Sequence, residues 1–572
     1  MGRREGTRLY NVVDGVRREI QSGIIAGLAR SGILEVLGDF TENDIPVEYT
    51  REKAHGDFAT PIALVLAGKV KRKPRDIAET IVEHMETGKE KTRYVQRVEI
   101  AGPGFINFFL GRRWLEDVLR AIMEAGSTYG RSRMGHGTRI LLEFVSANPT
   151  GPMNIVNARA AAVGASLANI LEASGYDVST EYYVNDAGGQ INVLGRSCEL
   201  RYLELKGEDV EFPEWGYQGS YIVDIARLAM DKHGKELEAM ETEERAEFFR
   251  DFALSRMLAD QKTSLSRFGV EFDVWFSERK LVDAGAVSEV IDILKQRGMV
   301  YQADDAFWLR TTECGDEKDR VLVKSDGDYT YLAGDIAYHK NKLERGFDLL
   351  INIWGPDHHG HVTPTRAGLE ALGYPGSSLE VLLLQFLSLM SRGERVKMSK
   401  RAGEFVTMDD LIDEVGSDAA RYFLLMRNIE SHLEFDLGLA KEHSQANPVY
   451  YIQYAHARIS SIFRQAEEQG IALSDVDGSD LSNLAEDAEL DIIRKLAAYP
   501  DEVVMSAIER TPNRLAGYAL DLAGLFHSFY NSHRVINEDS DLTMARLALS
   551  GAVRTVLANV LGLLGISAPH EM

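Results

Sequence analysis

Between residues 138 and 173 the chain passes through a short β-rich run, Thr138-Arg-Ile-Leu-Leu-Glu-Phe-Val145. A set of turn formers ending at Pro152 follows, and then an Ala-rich helical segment from about Ala158 to Ala173. Strand, Pro/Gly loop and helix in that order is the opening unit of a nucleotide-binding α/β fold. The segment predicts further strands in the same sheet. One is expected at Asp177-Val-Ser-Thr-Glu-Tyr-Tyr-Val184 and a buried one at Asp348-Leu-Leu-Ile-Asn-Ile-Trp354. The charged, helix-forming stretch from about 198 to 266 reads as an insertion between them.

On either side the pattern changes. Up to about residue 112, amphipathic helical stretches precede Val95-Gln-Arg-Val-Glu-Ile-Ala-Gly-Pro-Gly-Phe-Ile-Asn-Phe-Phe-Leu110, where Gly and Pro separate two β-rich runs, so a small α+β domain is expected. From about 441 onward helical periodicity dominates and predicts a bundle. A length of 572 residues exceeds what one hydrophobic core serves, in keeping with several domains. Four are expected: 1–112, a catalytic α/β unit at 113–385, a signature-loop and stem-contact region at 386–440 and the helical bundle at 441–572. An apolar share of 45% with 27% charged residues is that of a soluble globular chain, and no apolar run resembles a membrane span or signal peptide, so a cytoplasmic, membrane-free protein is expected. The two cysteines, Cys198 and Cys314, are isolated and imply neither a disulfide framework nor zinc. A net charge of −24 argues against indiscriminate nucleic-acid binding but leaves room for local basic tracks such as Lys69-Val-Lys-Arg-Lys-Pro-Arg75.

Two segments carry polyphosphate chemistry. Lys397-Met-Ser-Lys-Arg401, in a loop before Gly403, offers cations and a hydroxyl suited to charge developing on a leaving pyrophosphate. Its counterpart is the strand, turn and helix opening near Asn148 to Asn157. Together they resemble the two signatures of class I aminoacyl-tRNA synthetases, and within that class the chain resembles the arginyl-tRNA synthetase family along nearly its whole length. The matching segments are Glu143-Phe-Val-Ser-Ala-Asn-Pro-Thr-Gly-Pro152, Glu181-Tyr-Tyr-Val-Asn-Asp-Ala-Gly-Gly-Gln190, Tyr331-Leu-Ala-Gly-Asp-Ile-Ala-Tyr338, Trp354-Gly-Pro-Asp-His-His-Gly360, Asn447-Pro-Val-Tyr-Tyr-Ile-Gln-Tyr-Ala-His-Ala-Arg458 and the ending from Leu561.

The resemblance implies a Rossmann-like catalytic core, an α+β N-terminal domain that approaches the corner of tRNA, and an all-α bundle that binds the anticodon. It implies activation of L-arginine by ATP, with magnesium held by the phosphates, and transfer to the terminal adenosine of tRNA(Arg), in a cytoplasmic monomer without zinc. The family usually needs tRNA present for the first step. Because the arginine carboxylate attacks the α-phosphate directly, no enzyme nucleophile is expected, only positioning and charge stabilisation. A guanidinium is best held by carboxylates and aromatic faces. The family's motifs put Glu143, Asn148, Tyr331 and Asp335 in the arginine site, with Asp335 on the guanidinium and Glu143 and Asn148 on the α-amino and α-carboxylate end; Glu278, in Phe272-Asp-Val-Trp-Phe-Ser-Glu278, is a second carboxylate candidate beside them. ATP falls to Pro152, Asn154, Asn157, Arg159, His358, His359, Lys397, Met398, Ser399 and Lys400. Lys397, Lys400, Arg401, Asn154 and Asn157 carry the catalytic charge and donors. Tyr450, Tyr451 and Tyr454 are candidates for stacking on unpaired bases, or equally for packing in a bundle core, with His456 and Arg458 as contacts if their helix is exposed.

One departure stands out. Where most of the class has His-x-Gly-His, this chain reads Asn154-Ile-Val-Asn157. Amides keep a donor but lose the charge of an imidazolium, and Val156 replaces the glycine that lets adenine approach the backbone. Two other readings therefore stand beside the ligase. One is a tRNA-binding relative with reduced or lost aminoacylation; the other, a nucleotidylyltransferase on the same fold, leaves the helical third unexplained.

Overall fold

The computed structural model describes residues 11–50, 52–85, 92–391, 394–395 and 407–572, and for 391, 394–395 and 475 the backbone only. Residues 58–60, 105–110 and 95–101 form, with a short edge strand at 48–49, a four-stranded antiparallel sheet. Against it pack the helices Val12–Arg30, Ile62–Val70 and Pro74–His84, which bury Val16, Ile20, Ile24, Leu66 and Ile81. This is the α+β unit that the two β-rich runs announce.

The central sheet is parallel throughout. Its strands are β1 (Arg139–Glu143), β2 (Asp177–Val184), β3 (Val274–Ser277), β4 (Leu349–Trp354) and β5 (Leu379–Leu383), in the order β5-β4-β1-β2-β3. Helix α1 (Ile155–Ala173) follows β1, helix α2 (Tyr331–Glu344) precedes β4, and helix α3 (His359–Ala371) follows it. Gly164 sits where α1 crosses the loop after β1; a Cβ there would lie 2.2 Å from the Phe144 ring, so only glycine permits the approach. The strand order reverses at β1/β4, and in such sheets ligands bind beyond the carboxyl ends of the strands at that point.

Three helices, Gly189–Leu205, Ser220–Ala239 and Thr242–Arg267, lie between β2 and β3 around a small core of their own. Residues 300–303, 306–309 and 320–323 add a three-stranded antiparallel sheet that the sequence does not announce, since each strand has four residues and too few side chains to display a period. Beyond β5, helix α4 (Ser417–Leu425) connects to a bundle that includes α5 (Pro448–Glu468), Asp487–Glu509, α6 (Asn513–Ser532) and α7 (Ser540–Leu563). By length and composition α7 meets the measure of a membrane span, yet most of it is buried among its neighbours. One continuous apolar core runs from the N-terminal unit past β1 and α1 into the bundle.

Candidate active site

The last residue of β1, Glu143, is in register with Glu181 on β2 and with Asn352 on β4. Residues paired this way project to the same face of a sheet, so one polar row crosses three strands. Helix α2 lies over that row. Its residues Asp335, Tyr338, His339, Lys342 and Arg345, the last at its C-cap, recur at spacings of three and four and form one stripe. Lys342 Nζ donates to Glu143 Oε2 at 2.5 Å and to Asn352 Oδ1 at 3.1 Å, and sits 4.1 Å from the centre of the Tyr338 ring. Tyr338 Oη donates to Glu181 Oε1 at 2.6 Å, and Arg345 holds both Glu181 oxygens, at 2.6 and 3.0 Å.

His339 closes the network. Burial and Lys342 hold its pKa down to about 3, so the ring is neutral. Nδ1 lies 2.7 Å from the Asp335 carbonyl and Nε2 lies 2.8 Å from Asn352 Nδ2. The carbonyl can only accept and the amide nitrogen can only donate, which fixes the proton on Nδ1.

Glu143 is thus answered by Lys342, and Glu181 by Arg345. Asp335 and Glu278 form no ion pair among the described residues. The Asp335 carboxylate accepts no hydrogen bond among them, and burial together with the charges of Glu143 and Glu278 raises its pKa to about 7. Glu278, in the first turn of a short helix after β3, is also pushed up by burial, against a lowering hydrogen bond from Tyr183. With the Asn185 amide oriented by its partners, its nitrogen donates to Glu278 Oε2 at 2.7 Å. These two acids are poised to receive a cation carrying several N–H donors. Tyr183, whose ring centre is 4.5 Å from that of Tyr338, forms one wall. Tyr331, 82% exposed, stands at the rim and not on the buried stripe with Asp335.

The loop after β1 is strained. Val145 and Ser146 have φ of 67° and 37°, a region that a β-branched residue rarely enters. The strain seats Ser146 Oγ where it donates to Glu143 Oε1 at 3.0 Å and accepts from the Tyr183 N–H at 3.1 Å. The helical insertion braces the next residues. Gln261 Nε2 donates to the Asn148 carbonyl at 3.2 Å, and Tyr221 Oη to the Thr150 carbonyl at 2.7 Å. Asn148 itself is exposed, its side-chain amide 3.2 Å from that of Asn185.

At the start of α1 the two unusual amides form a capping box. Asn154 Oδ1 accepts from the N–H groups of Val156 and Asn157, at 2.8 and 3.2 Å, and Asn157 Oδ1 accepts from the Asn154 N–H at 3.0 Å. With both oxygens engaged, each NH2 is left as a donor. Val156 and Pro152 are exposed beside them. Thr407 bridges to Asn154 and the Met408 N–H donates to the Met153 carbonyl, so the chain returns to α1 six residues past Arg401. Lys397, Met398, Ser399, Lys400 and Arg401 themselves lie outside the described residues. His358 and His359 are exposed at the start of α3, just beyond the carboxyl end of β4.

Arg159 is a correction. Its expected place was at ATP, but its side chain is fully buried and its guanidinium donates to the carbonyls of Gln385, Asn428 and Ser431 at 2.7, 3.0 and 3.1 Å. Its charge is committed to joining α1 to the segments beyond β5, and burial lowers its pKa to about 10. In the bundle, His456 is buried against the Pro569 carbonyl and is withdrawn as a contact. Tyr450 and Tyr454 stack at 6.1 Å and 13°, and Arg458 lies over Tyr454 and Tyr530 at 4.5 and 4.6 Å; all four are only partly covered. Tyr451 turns toward His527 and the core, 4.4 Å ring to ring. Tyr183, Asn185, Lys342, His339 and Arg345 were not singled out from sequence. The segment Glu181–Gln190 contains the first two, so its resemblance was a signal without roles attached.

The chain is similar to three sequence families in succession. These are described as arginyl tRNA synthetase N terminal domain at residues 18–110, tRNA synthetases class I (R), catalytic domain at 118–434, and DALR anticodon binding domain at 452–572. An arginine–tRNA ligase of Desulforamulus reducens is 48% identical over 98% of this chain and 100% of its own. One of Bacillus subtilis is 45% identical over 98% and 100%. The solved Thermus thermophilus arginyl-tRNA synthetase, 23% identical, covers 97% of this chain and 100% of its own with a TM-score of 0.73, a likeness of fold.

Proposed function

The chain belongs to the arginyl-tRNA synthetase family of class I enzymes, and we propose that its arginine site is built on Asp335 and Glu278. The protein is an arginine–tRNA ligase: ATP activates L-arginine, and the arginyl group passes to tRNA. Relatives of that name span the full chain despite Asn154-Ile-Val-Asn157, so the reading of a synthetase-like protein without aminoacylation is not favoured.

The observation that carries the site assignment is the pair of carboxylates left without a counter-ion among the described residues, beyond the carboxyl ends of β1 and β3. A guanidinium supplies both the charge and the planar donors that such a pair lacks. Glu143 and Asn148 take the α-amino and α-carboxylate end, and Tyr331 covers the rim. In the first step the arginine carboxylate oxygen bonds to the α-phosphorus while the bond to pyrophosphate breaks. In the second, a hydroxyl of the terminal adenosine attacks the arginyl carbonyl carbon and AMP leaves. The NH2 groups of Asn154 and Asn157, in our reading, donate to phosphate oxygens beside Pro152, His358 and His359 meet the nucleoside, and Lys397, Met398, Ser399, Lys400 and Arg401 answer the pyrophosphate charge. Magnesium accompanies ATP on its phosphates, as suits an ion that keeps most of its water. Tyr450 and Tyr454 supply the anticodon platform, Tyr451 supporting them from beneath. The enzyme is proposed to act as a cytosolic monomer.

Arginine-dependent ATP–pyrophosphate exchange with tRNA present tests this. Activity with arginine and a KM for arginine that depends on Asp335 and Glu278 is expected. Exchange driven by another amino acid, or none with cognate tRNA, would refute it.

A further inference from the structure

Lys342 is fully buried, has no role in the chemistry above, and is too deep to meet a substrate. We infer that it is a positioning residue for arginine recognition, a built-in cation that answers Glu143 so that the neighbouring acids stay free for the substrate's charge. The inference rests on the arginine-site reading of Asp335 and Glu278.

Two kinds of contact support it. Mechanically, Lys342 ties α2 to Glu143 on β1 and Asn352 on β4, and Asn352 passes the constraint through His339 to the Asp335 carbonyl. Asp335 and Lys342 are seven residues apart, two helical turns on one stripe, so fixing the phase of α2 at one fixes it at the other. Electrostatically, the groups around Asp335 are Glu143 from β1, Glu181 and Tyr183 from β2, Glu278 beyond β3, and Tyr338, His339, Lys342 and Arg345 from its own helix. His339 is neutral, Arg345 is held by Glu181, and Lys342 alone among these cations lowers the Asp335 pKa. Without it, Glu143 would stand uncompensated beside Asp335 and Glu278, and at neutral pH those acids would take up protons where they should meet a guanidinium.

The test is tRNA-dependent pyrophosphate exchange by the full-length Lys342→Met enzyme, which keeps the chain length and removes the charge. The expected result is a rise of about tenfold or more in KM for arginine with KM for ATP changed by about twofold or less. The acidic limb of kcat/KM for arginine, which reports the free enzyme, should move up by about one pH unit. In Lys342→Met/Glu143→Gln the buried charges leave together, so this protein should fold and its limb should return to the wild-type position. If the single variant is insoluble, the double variant is compared with Glu143→Gln: loss of Lys342 on that background should move the acidic limb up, and an unmoved limb would overturn the inference. Equal rises in both constants, or a limb that Lys342→Met does not move, would overturn it. Asp335→Asn separates the two levels. If that variant keeps the acidic limb, the site reading itself falls; if it loses the limb while Lys342→Met does not shift it, only the inference about Lys342 falls.

Discussion

Replacing Asp335 by Asn is the most incisive perturbation of the site, because it removes charge while keeping shape. A carboxylate that faces a guanidinium out of bulk water and is then lost costs about 2–5 kcal/mol, a rise of at least about 30-fold in KM for arginine. The KM for ATP, which Asp335 does not face, serves as the internal control. The pH dependence gives a second, independent magnitude. In the empty enzyme burial and two neighbouring carboxylates hold the Asp335 pKa at about 7. The raised value means that the empty site keeps its proton below pH 7 and must release it to bind a cation. Arginine therefore binds more weakly as pH falls, with kcat/KM dropping about tenfold per unit below 7 and levelling off above. Pyrophosphate exchange from pH 5.5 to 8.5, at saturating tRNA and ATP, measures the profile. Asp335→Asn should be flat across the same range because it has no proton to release. A wild-type profile with no limb near 7, or a limb that survives the substitution, would refute the assignment.

Other outcomes follow from the same contacts. The raised Asp335 pKa also makes the empty fold less stable as pH rises between the unfolded carboxylate value and 7, so L-arginine should raise the melting temperature more at pH 8 than at pH 6; an equal shift would contradict this. Asn154→His should lower the melting temperature by about 1 °C through the lost cap on α1, while changing the activation rate by less than about threefold, as paired melts and exchange assays would establish. Arg159→Met should destabilise by about 3–5 kcal/mol, seen in denaturant unfolding, because three carbonyls lose their donor; a stable variant with only a raised KM for ATP would return Arg159 to the nucleotide site. Tyr450→Ala with Tyr454→Ala should raise the KM for tRNA about tenfold or more in aminoacylation and leave those for arginine and ATP unchanged.

What sequence alone conveyed depended on range. Strand β1 and helix α1 were legible because their apolar periods and the intervening Pro/Gly loop are local, and the buried strand β4 was visible as an apolar run. Asp335 and Glu143 were reached through motif resemblance and Glu278 as a further carboxylate candidate, without the reason that they cohere. That reason is a row in register across three strands beneath a helix of fixed phase, and neither the register nor the phase can be read from linear order. Lys342 and Tyr183 escaped for this cause. Arg159 was misjudged because its nearest partner in sequence is 226 residues away, and a cation near a nucleotide signature suggests a phosphate until its carbonyls are seen.

Arg159 has a counterpart in Arg421 on α4, equally buried, which donates to the carbonyls of Phe268 and Leu564 and so joins the catalytic unit to the end of the bundle. Both cations donate to backbone carbonyls, a bond that does not depend on which amino acid carries the carbonyl, although Arg421 also lies 5.5 Å over the Phe268 ring. Positions 385, 428 and 431 are thus released to drift in identity so long as the chain keeps its path, while the two arginines and the core residues Phe268 and Leu564 are not. For anyone recombining halves of such enzymes, compatibility at these seams turns on the shape of the incoming main chain, and matched side chains there offer no guarantee.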